Sequence, residues 1–88
     1  MSRVPTELDH RLAAELEHAR DMLVRMGDQL AMDDQVVAEH GLALQAVDIV
    51  GQLLGHIANV VRSSDPDGAV DRIGMCELKA RLLRGSIA

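Results

Sequence analysis

Residues 42–61 have the sequence LALQAVDIVGQLLGHIANVV, the most apolar stretch of the chain. Its polar residues recur at spacings of three and four, so on a helix they share one narrow sector. We call this sector the polar stripe; it consists of Gln45, Asp48, Gln52, His56 and Asn59. A membrane span would place the Asp48 carboxylate near the centre of the lipid, which is costly. We therefore predict a buried helix of a soluble protein, with no membrane contact.

The upstream sequence predicts that this helix is the second arm of a long antiparallel hairpin. Thr6 and Asp9 have the spacing of a capping box, which predicts a first helix over residues 7–32. Asp33, followed by a second aspartate, combines an N-cap with charge that favours a helix N-terminus. The sequence thus places the break there and the second helix over residues 34–62.

One alternative for the break and one further helix complete the expected architecture. In the alternative, the first helix continues to His40 and ends on Gly41 as a C-terminal cap. Downstream, Asp65 before Pro66 has the order of an N-cap and first helical residue, which predicts a third helix over residues 66–84. The expected fold is all-α: a single domain, residues 1–88, of three helices, with the third packing across the hairpin.

Heptad spacing of apolar residues indicates which face of each long helix points inward. The first helix has this seam at Leu8, Leu12, Leu16, Ala19, Leu23, Met26 and Leu30. The second has it at Val36, His40, Ala43, Val47, Val50, Leu54, Ile57 and Val61. Outside the polar stripe, the second helix after Gly41 is apolar around nearly its whole circumference, and this surface needs neighbours on more than one side. We therefore expect a homodimer, the commonest soluble oligomer, in which Gly51 and Gly55 would allow a close helix approach.

Composition excludes several classes of function. The chain has 88 residues and a formal net charge of −5, which argues against nucleic-acid binding. It has no Phe, Tyr or Trp, so it has no aromatic platform on which bases could stack. Its N-terminal residues lack the apolar run of a signal peptide. The richness in Arg, Ala, Val, Gly and Asp is compatible with a GC-rich bacterial genome, and we expect a cytoplasmic bacterial protein.

No pattern predicts a metal or another cofactor. Glu7 and His10, and likewise Glu15 and His18, have the Glu-x-x-His spacing of di-iron bundles. They fall away from the predicted apolar seam, so the sequence predicts no metal site. Cys76, the one cysteine, shares an apolar face with neighbouring residues of the predicted third helix and is expected to be a small buried residue.

The polar stripe is the candidate binding surface, and three interpretations stay open for it. It can face solvent, form an interhelical hydrogen-bond ladder, or bind a partner or substrate. Within it, Asp48-Ile49-Val50-Gly51-Gln52 resembles the Asp-x-x-Gly-Gln segment of the CheZ-type response-regulator phosphatases of bacterial chemotaxis. Val50 stands where that family tends to have Thr. The resemblance implies that Gln52 orients a water molecule for attack on an aspartyl phosphate and that Asp48 engages the partner's active site.

The sequence thus predicts a small non-enzymatic interaction or regulatory protein that acts as a homodimer and can bind another protein. An accessory response-regulator phosphatase is the alternative. Solvent access to the stripe discriminates between these two functions, since a catalytic pair at Asp48 and Gln52 must be open to its substrate.

Overall fold

The computed structural model describes residues 2–85 and shows an all-α chain, with no strand in that range. Its four helices are α1 (Glu7–Ala31), α2 (Asp34–Val61), α3 (Pro66–Asp71) and α4 (Cys76–Gly85). The two long helices form the predicted antiparallel hairpin, which supplies most of the tertiary contacts. The short helices continue from it, α3 packing on α2 and α4 on α3.

The break between the long helices lies at Asp33, as the sequence predicted. The Asp33 carboxylate accepts hydrogen bonds from the backbone N–H groups of Gln35 (2.9 Å) and Val36 (3.2 Å). These are donors that a helix N-terminus otherwise leaves without a partner. Met32 closes α1, so the connection needs only two residues.

The alternative break at Gly41 corresponds to a kink inside α2. His40 has non-helical backbone angles (φ −130°, ψ 27°) immediately before the glycine, yet α2 continues on both sides. His40 was expected on the apolar seam, and this was wrong: its side chain is 63% exposed and lies 4.0 Å from Glu39. The local distortion turns this position away from the hairpin.

The single third helix predicted over residues 66–84 is two helices. Arg72 ends α3, and its backbone N–H donates to carbonyl groups of the preceding turn. Gly74 is exposed with open space beside it, and a glycine inside a helix costs about 1 kcal/mol relative to alanine. The chain therefore turns here and starts α4 at Cys76, which is exposed rather than buried as predicted.

The inward face of α1 is also rotated from the predicted seam. Ala13 is buried, and Arg20 and Gly27 are partly buried on the side that meets α2. At 100° per residue this direction lies roughly 85° from the centre of the heptad seam. As a consequence, much of the seam remains outside the hairpin interface. The exposed large apolar residues of α1 on that side are Leu8, Leu12, Met22, Met26 and Leu30.

The buried core of the single chain is small. Its buried apolar residues are Ala13, Ala58, Ile73 and Leu78. The accessible surface is 6334 Å², against about 5,000 Å² for a compact monomer of this mass. The radius of gyration of 15.4 Å likewise exceeds the roughly 12 Å of a compact domain of this length. The hairpin thus leaves apolar surface exposed that a compact fold of this size would cover.

The N-terminal segment closes the open end of the hairpin. The Arg3 backbone N–H donates to the Ser64 carbonyl (2.6 Å), and its guanidinium donates to the Val61 carbonyl at the end of α2. The same guanidinium also pairs with Asp9 (2.9 Å). The last turn of α2 contains no basic residue, so Arg3 brings positive charge to the negative end of its dipole.

Candidate functional site

The polar stripe forms one wall of an open groove between α1 and α2. The groove has a volume of about 450 Å³, and Arg20 and Val24 of α1 form its other wall. Of the predicted stripe, four residues line it: Asp48, Gln52, His56 and Asn59. Gln45 lies apart, in a shallow depression beside the His40 kink. The structure thus brings four of the five predicted residues together, and we call this site the polar groove.

Two glycines one turn apart form the floor of the polar groove. A Cβ atom placed on Gly51 would lie 3.6 Å from Val24 Cγ2 and 3.7 Å from Arg20 Cγ, and one on Gly55 would lie 3.3 Å from an Arg20 terminal nitrogen. The Arg20 stem therefore lies across the two glycines. Within one chain, the space beside Gly51 and Gly55 is therefore occupied by side chains of α1.

A network of charged side chains lies beside the polar groove and includes Arg20 of its α1 wall. Arg20 contacts Asp21 (3.2 Å) and, at 3.8 Å, Glu17. Glu17 also accepts a hydrogen bond from Arg62, which in turn donates to Asn59. Glu17 is thus shared between two guanidinium groups from different parts of the hairpin. This network ties the end of α2 to the middle of α1, and it engages the amide oxygen of Asn59.

Asp48 and Gln52 remain open on the opposite wall. Both residues are exposed, and within residues 2–85 neither side chain forms a hydrogen bond or ion pair. Within the single chain, the one side-chain hydrogen bond of the described stripe residues joins Asn59 to Arg62 near the end of α2, so no ladder links the stripe to α1. A carboxylate and a neutral amide project from adjacent turns into a groove that a second molecule can enter.

His56 is shared between the polar groove and a second cavity. This cavity, of about 400 Å³, is bounded by Ser63, Arg72 and Ile73 on the side of α3. His56 is only partly exposed, because the end of the hairpin and α3 flank it. No group of three or more His, Cys, Asp or Glu side chains within the described range is arranged to hold a metal ion.

Arg20 and Val24 are the site residues that the sequence analysis missed. Neither residue belongs to the heptad seam that the sequence predicted as the inward face of α1. The signal that could have found them is the pair Gly51 and Gly55, whose missing side chains leave room for a long side chain from the facing helix.

Comparison with known proteins adds no family to these observations: no family model, curated protein or solved structure matches the chain. Within the described residues, α2 is long and apolar enough to cross a membrane by length and composition alone. The expected burial of this helix is not found in the single chain, because only 11% of its apolar 18-residue window is buried.

Proposed function

We propose that the protein is a small, non-enzymatic helical interaction or regulatory module that acts as a homodimer in the bacterial cytoplasm. The observation that supports this proposal is the accessible surface that the hairpin exposes in excess of a compact monomer. The accessible area of 6334 Å² exceeds that of a compact monomer by roughly 1,300 Å². A stable interface needs about 800 Å² from each partner. The excess is therefore large enough for a second copy to cover.

The acidic, aromatic-free surface supports the choice of a protein partner over other ligands. Nucleic-acid binding requires clustered positive charge, whereas this chain has 14 acidic and 9 basic residues. The polar groove presents an exposed carboxylate and an exposed neutral amide on adjacent turns of α2, at Asp48 and Gln52. A dimer built on apolar surface would leave this groove accessible to another protein.

The proposal is tested by the mass of the protein in solution and by its unfolding at several concentrations. We expect light scattering to give about twice the 9.5 kDa of the chain at tens of micromolar. The midpoint of thermal unfolding should rise with protein concentration, because association stabilises only the folded state. A mass near 9.5 kDa with a concentration-independent midpoint would contradict the proposal.

A second candidate function is an accessory response-regulator phosphatase, and the exposure of Asp48 and Gln52 favours it. In this role the Gln52 amide orients a water molecule, whose oxygen attacks phosphorus while the bond to the aspartyl carboxylate breaks. A neutral amide can do this without repelling the phosphoryl group. Asp48, one turn away on the same wall, is placed to contact the partner.

Two amide substitutions on the same helix test this candidate. Gln52→Ala should lower any stimulated dephosphorylation of a phosphorylated response regulator by about 100-fold, the cost of removing one positioned donor. Gln45→Ala removes an exposed amide outside the polar groove and should leave the rate unchanged. Equal rates for the unsubstituted protein and Gln52→Ala, across the response regulators of the source organism, would eliminate the phosphatase candidate.

A further inference from the structure

Four of the exposed apolar residues of α1 are arranged symmetrically about Ala19, and with it they form a stripe along the helix. Leu12 and Met26 lie seven residues before and after it, and Leu8 and Leu30 lie eleven residues before and after it. On the helix these five positions fall within roughly 40° of one another. The four large side chains are 40–61% exposed, while Ala19 is partly buried between them.

This symmetry is the pattern that an antiparallel two-fold contact requires. In such a contact residue i meets residue j of the other copy while j meets i. Around an axis at Ala19, Leu8 meets Leu30 of the second copy and Leu12 meets its Met26. The stripe is about 33 Å long at 1.5 Å per residue. The small side chain at the centre allows the two helices to approach closely.

The charges beside the stripe favour the antiparallel direction over the parallel one. Glu15 and Arg25 lie on the same side of the stripe, roughly 40° and 120° from its centre. Both are exposed, and neither is in an ion pair within the described residues. An antiparallel pairing centred on Ala19 brings Glu15 of each copy to within about 3 Å, along the axis, of the level of Arg25 of the other. A parallel pairing would instead leave Glu15 of each copy about 15 Å, along the axis, from the level of Arg25 of the other, too far for an ion pair.

We propose that a second copy of this chain docks on this apolar stripe of α1, with the two α1 helices antiparallel and Ala19 at the two-fold axis. The inference rests on the proposed homodimer and names its surface and direction. The stripe lies roughly a third of a turn around α1 from Arg20 and Val24. Both polar grooves of the dimer therefore stay open.

Single cysteines test the direction of the contact in a Cys76→Ser background. Ala19→Cys should form a disulfide-linked dimer under mild oxidation, because the two copies meet at the axis within the roughly 4.4–6.8 Å between Cα atoms that a disulfide needs. Leu8→Cys is the matched control: in the antiparallel contact it faces Leu30 of the other copy, about 33 Å from its own counterpart. The Ala19→Cys yield should exceed the Leu8→Cys yield at least about fivefold in folded protein and match it in urea.

A charge pair gives an independent test that does not rely on oxidation. Leu12→Glu should dissociate the dimer, and adding Met26→Arg should restore it, because each new carboxylate then faces a guanidinium of the other copy. Leu42→Glu is the control, since Leu42 is 83% exposed on α2, outside the stripe. It should leave the measured mass unchanged.

The results separate this inference from the homodimer proposal. A dimeric parent whose Leu8→Cys variant crosslinks as well as Ala19→Cys would overturn the antiparallel contact and leave the homodimer standing. A dimeric parent in which neither cysteine crosslinks and Leu12→Glu has no effect would place the interface elsewhere. A monomeric parent would overturn both, and the stripe would then belong to a different partner.

Discussion

Replacing Gly51 with alanine should stabilise the protein, and the structure gives the size of the effect. Gly51 is buried in the middle of α2 and lacks the positive φ that would require glycine. Alanine removes a helix-propensity cost of about 1 kcal/mol. Its methyl group would meet Val24 and Arg20 at 3.6 and 3.7 Å, ordinary contact distances. Burying that methyl adds up to about 0.8 kcal/mol.

The expected gain for Gly51→Ala is therefore between about 1 and 2 kcal/mol. For a domain of this length that corresponds to a rise of at least roughly 4 °C in the midpoint of thermal unfolding. Circular dichroism of the helical signal measures it, with both proteins at one fixed concentration so that association contributes equally.

Gly27→Ala is the matched control for this reasoning. The same gain in helix propensity applies, but the new Cβ would lie 3.2 Å from Val47 Cγ1, which must move. Overpacking of this kind costs about 1–3 kcal/mol, so Gly27→Ala should be neutral or destabilising. A Gly51→Ala protein no more stable than the unsubstituted chain, or a Gly27→Ala protein that gains as much as Gly51→Ala, would refute the packing of α1 on α2 at these two glycines.

Two further predictions concern the helix N-termini. Asp33→Ala should lower the free energy of unfolding by about 1 kcal/mol in urea titrations, whereas Asp33→Asn, which still accepts from Gln35 and Val36, should cost much less; equal losses would contradict the capping role. The hydrogen bond from the Thr6 backbone N–H, together with the Thr6 hydroxyl and Arg3, lowers the pKa of Asp9 below its ordinary value. The stability that the Asp9 carboxylate contributes is therefore fully present above that ordinary pKa and is lost as the pH falls through the lowered pKa. The free energy of unfolding, measured between about pH 5 and 2, should fall less steeply with pH in Asp9→Asn than in the unsubstituted protein. Identical slopes would contradict the stabilising role of the contacts of Asp9 with Thr6 and Arg3.

The strongest local signals in the sequence predicted the long hairpin. An aspartate N-cap fixes its own neighbours through hydrogen bonds within three residues, so Asp33 could be located without knowledge of the fold. Gly41 was an equally local candidate for a C-terminal cap. The structure has a kink at His40 there and no break, since the residues on both sides are helical.

The wrong prediction for α1 concerned which of its faces packs against α2. Heptad spacing finds an apolar face of α1, but the facing helix decides which part of that face is used. The space beside Gly51 and Gly55 accommodates the Arg20 side chain, so the Arg20 side of α1 faces α2. Leu12 and Met26, on another side of α1, remain exposed. The same limit applies to the polar groove: its α2 wall was predictable from spacing, and its α1 wall was not.

The attachment of α4 to the rest of the molecule through α3 determines how the chain opens. Opening α4 removes Leu78 from its buried site without separating the two long helices. The amide hydrogens of α4 should therefore exchange with solvent through small local fluctuations, at a free-energy cost well below that of global unfolding. Those in the centre of the hairpin are released only when the hairpin itself comes apart, so the protein has two exchange regimes, one on each side of the turn at Gly74.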